Sequence, residues 1–519
     1  MYDAMKNRFL LFTLVLFCGQ LLAQVHITVG DPSTWSKQAL SGYVGKTVVF
    51  DAPMVVCGNT NENYTISPWR RFQPENQGQK GSDAYTTTSY INSHSMFNLT
   101  GASGYHRCGE KIYNLTVYVS DINTLKWQSG TWKGNTRSDL EKSIPDLGDY
   151  RLLVCGFNLE NYFMTLGSMG AQNASDRQAQ RTKVSKALKQ INADIYGLVE
   201  LQQGNEAIDE IVSDLNSANL VARKDKSGKK RNYKHFSDAV SGTMQKTDFV
   251  YDANQVEPVG TPVETNVELS YRKKMVCFRE IATGEKFIYS INHFKAMNSG
   301  GEEIRVSEAK AVVNLYNTYR QDRLIREKDV LVMGDLNCYG KTRPIAVFTD
   351  AGMIDLHRAF HADSSYSYMY GGMASYIDHA IANGTMYRQV TGMSAYHINS
   401  DEDDYYTYNK SNDRTMFRCS DHDPVLVGLR LDSTLLYDPS PKINAGEIIN
   451  GDTRSLIIQD AHQEGQKSYY AIYSINGWQV EQKEIKSAFH EVALPKDPGM
   501  YIICVYYNGQ AYQRKLIVR

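Results

Sequence analysis

Between about residues 146 and 433 the apolar positions come in short runs that alternate with segments of helical spacing. "YRLLVCGFNLENYF", "ADIYGLVEL", "KFIYSINHF" and "DVLVMGDLN" are clusters of mostly β-branched and aliphatic residues of strand length. "SDRQAQRTKVSKALKQI" and "GEEIRVSEAKAVVNLYNTYRQ" place apolar residues three and four apart, as an amphipathic helix does, and Ser175 or Asp176 is the expected N-cap of the first. Strand and helix in alternation predict a layered α/β domain over residues 146–433.

The flanks read differently. Residues 25–140 carry runs such as "KTVVFDAPMVV" and "KIYNLTVYVS" with Gly and Asn between them, which predicts an all-β domain, an OB-like barrel being one candidate. Residues 443–519 predict a second β unit, a sandwich with hairpin turns at Asn476-Gly477 and Asn508-Gly509. At the start of the chain Lys6 and Arg8 precede an apolar run from Phe9 to Phe17 and then Leu-Leu-Ala-Gln. This is the order of a secretory signal peptide over residues 1–24, cut near Ala23. The run is too short to span a bilayer, and no later stretch is long and apolar enough.

Composition adds limits. With 519 residues, 42% hydrophobic and 22% charged, the chain has room for about three domains. A net charge of −1 provides no global field for a polyanion, so anion binding has to come from local patches. The densest such patch is "RKDKSGKKRNYKH" at 223–235, either a solvated loop or a polyanion contact with marked salt dependence. Of the cysteines, Cys57 and Cys108 are the candidate disulfide pair, while Cys155, Cys277, Cys338 and Cys419 lie in apolar runs and read as inert buried thiols. No Cys-x-x-Cys is present, which argues against a structural zinc site.

The candidate chemistry lies where the middle strands end. The runs finish at Asn158, Glu200, His293 and Asp335, with Asn337 two residues on; "ASYIDHAIA" carries Asp378, and "CSDHDPVLV" opens a strand with Asp421 and His422. Each alone has an ordinary reading: a turn Asn, a solvated Glu, a satisfied His. Repeated at the ends of packed strands, they point to convergence at one sheet edge, where ligands bind in α/β architectures. Asp423, before Pro424, reads as a backbone-binding residue, and the alternating Tyr366, Tyr368 and Tyr370 read as strand packing, with base stacking as the alternative.

"GFNLENYF", "ADIYGLVEL", "SINHFKA", "VLVMGDLN", "YIDHAIA" and "CSDHDPV" occur in this order, and together they resemble the endonuclease/exonuclease/phosphatase superfamily, whose best-known member is deoxyribonuclease I. The resemblance covers roughly residues 148–432 and is nearest in flavour to bacterial extracellular endonucleases. It implies a four-layered α/β sandwich and metal-dependent phosphoester hydrolysis. It implies Glu200 as principal Mg²⁺ ligand, helped by Asn158 and Asp421, with Mn²⁺ or Ca²⁺ as alternatives to Mg²⁺. Asp335 would activate or orient the attacking water, Asn337 would bind phosphate, and Asp378 would hold His422. His293 matches a second histidine, whose orienting acid has no identified counterpart; Arg272 and Lys295 would contact substrate.

The expected activity is that of a secreted endonuclease hydrolysing DNA, with RNA as the second candidate nucleic-acid partner. Competing expectations are hydrolysis of a phospholipid or small phosphate ester, and a non-catalytic surface-binding protein on the same scaffold. The ending "GMYIICVYYNGQAYQRKLIVR" resembles a type IX secretion sorting domain, which implies the secretion machinery as a partner and an extracellular or outer-surface location.

Overall fold

The computed structural model describes residues 25–30, 35–60, 62–69, 72, 95–167, 169–224, 228–238, 242–265, 267, 272–299, 301–361, 364–432, 442–445, 448–449, 452–453, 455–459, 468–487, 489–507 and 510–518. The expected signal peptide, the Asn508-Gly509 turn and residues 225–227 of the basic run lie outside them. The chain divides into two units, residues 1–70 with 88–135, and residues 71–87 with 136–519.

In the first unit five strands close on themselves. Met54–Thr60, Asn63–Ser67 and Phe97–Thr100 pair antiparallel in sequence; Phe97–Thr100 runs parallel to Thr124–Lys133, which pairs with Lys111–Val119 and so returns to Met54–Thr60. Alternate residues such as Leu99, Ile112, Val117 and Leu125 fill the interior. The expected Cys57–Cys108 bridge is not formed. Each buried thiol donates to its own acceptor, Cys57 Sγ to the Trp69 carbonyl at 3.5 Å and Cys108 Sγ to Asn59 Oδ1 at 3.5 Å.

The second unit contains the α/β sandwich. Its strands in chain order are β1 (Leu152–Tyr162), β2 (Ile195–Gln202), β3 (Tyr233–His235), β4 (Gln245–Asp252), β5 (Val256–Glu264), β6 (Lys273–Glu280), β7 (Lys286–His293), β8 (Val330–Asp335), β9 (Met353–Asp355), β10 (Asp378–Asn383), β11 (Val390–Ala395) and β12 (Val425–Leu429). They form two six-stranded sheets, ordered β3-β4-β2-β1-β12-β11 and β5-β6-β7-β8-β10-β9. Helices α1 (Ala174–Ile191) and α2 (Glu206–Ser217) cover the first sheet, and α3 (Glu302–Tyr319) and α4 (Arg343–Asp350) the second.

The period of two explains why these strands are apolar throughout. On β1, Leu153, Cys155 and Phe157 face the core under α1 and α2, while Leu152 and Val154 face the other sheet. On β8, Leu331 and Met333 face the first sheet, while Val330 and Val332 face α3 and α4. The layers are therefore helix, sheet, sheet, helix, the four-layered sandwich that the motifs imply. The sheets approach closely at Gly197, where a Cβ would lie 2.4 Å from Tyr289 Oη.

Helix α1 begins slightly earlier than expected. Its N-cap is Asn173, whose side-chain oxygen accepts the Asp176 N–H at 3.0 Å; an asparagine oxygen caps as well as Ser175 or Asp176 would. At the C-terminal end of the chain a three-stranded and a four-stranded sheet bury Leu456, Ile458, Tyr470, Ile472, Val492 and Ile503 in a common core. The turn at Asn476-Gly477 joins Tyr469–Ser474 to Gln479–Glu484. Among the described residues no helix is long and apolar enough to cross a membrane.

Candidate active site

Register brings the polar strand ends together. His293 is the parallel partner of Asp335, and Asp335 is the antiparallel partner of Asp378, so the last residues of β7 and β8 stand beside the first of β10. On the other sheet Asn158 and Glu200 lie on the adjacent parallel strands β1 and β2. Gly334 precedes Asp335 at φ +122°, where a Cβ would collide with the Asn292 backbone, so only glycine lets β7 and β8 meet this closely.

Close contacts connect the cluster across the two sheets. Asn158 Nδ2 donates to Asp335 Oδ2 at 3.1 Å. His293 Nε2 lies 3.6 Å from Glu200 Oε1 and 3.8 Å from Asp335 Oδ2. His422 Nε2 is 3.9 Å from both Asp335 Oδ2 and Asp421 Oδ1, and His422 Nδ1 is 2.8 Å from Asp378 Oδ2. Asn337 is held at φ +46°, its backbone N–H donating to Asp335 Oδ1 (2.8 Å) and its side chain to the Phe294 carbonyl (3.1 Å). Arg272 Nη2 donates to the same carbonyl at 3.2 Å. Lys295 is the exception. It stands half-buried beyond His293, its backbone N–H bound to Glu308 at 2.9 Å, and among the described residues its ammonium makes no ion pair.

Burial sets the electrostatics. Asp335 is pushed up to about 7 by burial and by the neighbouring Asp378 and Glu200, against the pull of His422. Glu200 is raised by burial and by Asp421, while the Arg272 charge acts in the opposite direction. Burial alone would lower His422, but Asp378, Asp421 and Asp335 outweigh it and hold the imidazole well above its ordinary value. His293 goes the other way, lowered by burial and by the charges of Arg272 and His422. Its Nδ1 is buried with no hydrogen-bond partner among the described residues, so none of their acids orients it.

Four further residues belong to the cluster. Glu160, inside the "GFNLENYF" motif, is half-buried at φ +53°, its buried Oε2 has no hydrogen-bond partner among the described residues, and desolvation together with Asp421 raises it to about 8. Its signal was present: an acid two residues past Asn158 on the same strand. Ser367 Oγ donates to Asp378 Oδ2 at 2.7 Å. Ser420 Oγ donates to the Asn158 carbonyl at 2.7 Å and accepts the His422 N–H at 3.2 Å. The Tyr368 ring lies 4.8 Å from the His422 ring. No local pattern announces the two serines, and Tyr368 shows only as one of the alternating tyrosines.

Asp423 binds backbone as expected, accepting from Asn399 N at 2.8 Å and Ser400 N at 2.9 Å. The basic run is elsewhere. Arg223 donates to the Ile191 carbonyl at 2.9 Å, at the C-terminal end of α1, and buried Arg231 pairs with Asp194 and, at 3.1 Å, with Asp252. Asp194 precedes β2 and Glu200 is near its end, so the described part of the run lies toward the opposite end of these strands from the cluster.

The Endonuclease/Exonuclease/phosphatase family model matches residues 155–422. The chain belongs to this family. Members of the Endonuclease/Exonuclease/phosphatase family are hydrolases acting on phosphoester bonds and usually employ divalent metals. No curated protein matches the chain. Solved structures similar to it include an endonuclease/exonuclease/phosphatase from Bacteroides vulgatus, 15% identical over 54% of this chain and 99% of that one, with a TM-score of 0.38. A mannosyl-6-phosphatase of Bacteroides thetaiotaomicron is 15% identical over 54% of this chain and 100% of that one, with a TM-score of 0.38. An AP endonuclease from Archaeoglobus fulgidus is 13% identical over 54% of this chain and 100% of that one, with a TM-score of 0.35.

The donor set fits such a metal. Glu160, Glu200 and Asp421 repel one another in a partly buried setting, Glu160 Oε2 has no hydrogen-bond partner among the described residues, and all offer hard oxygen ligands. Asp335, Asp378 and His422 also present ligand atoms within 4.8 Å of one another. There, however, His422 already binds Asp378 through Nδ1 and is held in its charged form, which opposes a cation. Glu160, Glu200 and Asp421, with Asn158, offer hard oxygen ligands whose mutual repulsion a cation would relieve.

Proposed function

We propose that the protein is a divalent-metal-dependent phosphoester hydrolase in which Asp335, Asn337, Asp378 and His422 form the reaction centre, with His293 beside them. The observation that carries this reading is the bond from His422 Nδ1 to Asp378 at 2.8 Å, with Nε2 turned toward Asp335 and Asp421. A binding scaffold has no need of a buried proton-carrying pair next to a carboxylate raised to about 7.

Mg²⁺ held by Glu200, Glu160 and Asp421 would neutralise charge on the phosphoryl oxygens. Asp335, an acceptor when ionised, receives a proton from the attacking water, and Asn158 fixes its carboxylate. His422 donates from Nε2 to a phosphoryl oxygen, its tautomer set by Asp378 and the hydroxyl of Ser367. Arg272 adds positive charge beside Glu200 and His293.

Two substrate classes follow from different observations. The motif resemblance supports a nuclease acting on DNA or RNA, exported through the apolar N-terminal stretch and the C-terminal sorting-like domain. The placement of the basic run toward the far end of the strands removes the charge argument for a polyanion, and exposed apolar residues near the site favour a phospholipid. Purified protein incubated with plasmid DNA, RNA and sphingomyelin, each with Mg²⁺ and with EDTA, tests the reading. Hydrolysis of one of them only with Mg²⁺ is expected; no Mg²⁺-dependent hydrolysis of any phosphoester overturns it.

A further inference from the structure

The loops leaving the acid-bearing strand ends expose apolar side chains. The loop after β1 presents Met164 (37% exposed), Leu166 (44%) and Met169 (47%). Residues 163–173, Phe-Met-Thr-Leu-Gly-Ser-Met-Gly-Ala-Gln-Asn, contain no charge. Met244, 50% exposed, stands beside this loop at the start of β4, and Met297 lies four residues beyond His293.

This loop is tied to the site. Gln202, two residues past Glu200, accepts the N–H groups of Met164 (2.8 Å) and Thr165 (2.9 Å) on Oε1 and donates to the Gly242 carbonyl at 3.1 Å. Gln203 N–H binds the Met244 carbonyl at 2.9 Å, and Gly167 N–H closes the loop on the Ala171 carbonyl at 3.1 Å. The backbone on either side of Leu166, and that of Met244, is thus held by hydrogen bonds. Single exposed apolar residues are ordinary on a protein surface, but a group of them on an uncharged loop bordering a charged site is not.

Most neighbouring cations are already engaged, and the Lys295 ammonium, which makes no ion pair among the described residues, is one charge for one phosphate. Arg177 pairs with Glu210, Lys246 with Asp248 at 2.7 Å, and Lys273 with Glu308 at 2.8 Å. A nucleic-acid strand would need unpaired Lys or Arg along its backbone. A phosphodiester lipid needs the reverse: one site for its phosphate and an apolar border for its chains.

We propose that Leu166, Met169 and Met244 dock on the surface of a phospholipid bilayer and that the substrate is a phosphodiester lipid within it. This rests on the phosphoesterase reading above. In the reaction water forms a new P–O bond, the P–O bond to one esterified alcohol breaks, and that alcohol departs with a proton. Uncharged, apolar loop tips of this kind enter the headgroup region readily, with affinity set by the apolar area buried.

The test uses the full chain with sphingomyelin/phosphatidylcholine vesicles and, separately, soluble bis(p-nitrophenyl) phosphate, both with Mg²⁺. Wild-type protein should co-sediment with vesicles and release a phosphorylated product. In the L166Q/M169Q variant the ratio of vesicle to soluble-ester hydrolysis should fall roughly tenfold or more, with co-sedimentation falling in parallel. The M244Q variant, whose residue lies on a different element, should lower the same ratio and guards against a folding defect in the double variant. An unchanged ratio in both variants, or wild-type protein that does not co-sediment, overturns the proposal. So does slower plasmid cleavage in the variants with vesicle hydrolysis intact. Vesicle binding without Mg²⁺-dependent hydrolysis of either ester would instead overturn the reaction reading and leave the docking surface standing.

Discussion

Asp335 stands directly opposite Asp378 across the antiparallel ladder of β8 and β10, and both carboxylates are buried. Two acids so placed repel each other, and the folded protein tolerates them through His422 and Asn158. In metal-free protein this makes Asp335 a stability liability. Its folded pKa, about 7, is raised above the ordinary carboxylate value, so the penalty is absent at low pH and grows as pH rises from about 4 to 7. Asp335→Asn should therefore stabilise the EDTA-treated protein at pH 7 by on the order of 1–3 kcal/mol in urea unfolding. The same change should lower phosphodiesterase turnover by roughly 10²–10⁴-fold. A variant that is both less stable and fully active would contradict the role given to Asp335.

His422 responds in the opposite sense. Burial would lower its pKa, and Asp378, Asp421 and Asp335 together raise it. The stability of this charged pair is fully present below the unfolded value of about 6.5 and is lost as pH rises through the raised folded value. Activity that needs the protonated imidazole should likewise decline on the alkaline side. Asp378→Asn removes a principal raising charge, so the alkaline limb of the kcat/KM profile should move to lower pH. An alkaline limb that stays in place in D378N would remove His422 as the titrating group.

The legibility of this site followed its elements. Strands buried on both faces show as continuous apolar runs, and a polar residue ending such a run, as at Glu200, His293 and Asp335, is conspicuous. Glu160 was harder to single out because β1 continues to Tyr162, with Glu160 and Asn161 at φ +53° and +55°, so the acid reads as turn chemistry. Ser367 and Ser420 enter through long-range contacts that leave no local pattern, and the alternation that marks Tyr368 does not say that its ring meets His422. The basic run stayed open between a solvated loop and a polyanion contact for the same reason: residue order cannot say which end of a sheet a loop occupies. The Cys57–Cys108 pair shows that two cysteines in one segment can each be satisfied by a nearby acceptor.

Glu160 should prove as necessary to metal binding as Glu200. Both carboxylates lie close enough to be raised by Asp421, a cost that a divalent cation would relieve. Glu160→Gln and Glu200→Gln should each raise the Mg²⁺ concentration for half-maximal activity at least roughly tenfold. The increase in Tm on adding Mg²⁺ to EDTA-treated protein should shrink in both, since ligand binding stabilises the folded state in proportion to its affinity. A full Mg²⁺-induced shift in E160Q would place the cation elsewhere.

The basic run offers a test in which geometry and composition give opposite answers. Lys224, Lys229, Lys230 and Lys234 are exposed, but they lie toward the end of the sheet remote from Asp335 and His422. Reversing these four charges to Glu should leave turnover, and its dependence on salt, near wild type for any phosphoester that is cleaved. Arg231 differs from its neighbours. It is buried between Asp194 and Asp252, and its Nε also donates to Asn192 Oδ1 at 2.8 Å. Arg231→Ala would leave two buried carboxylates uncompensated, a change that typically costs about 3–5 kcal/mol. Urea unfolding should therefore separate the run into a replaceable solvated part and one structural arginine. A steep loss of nucleic-acid cleavage in the lysine-reversal variant, with unchanged stability, would instead restore the run as a polyanion contact and favour a nucleic acid over a lipid.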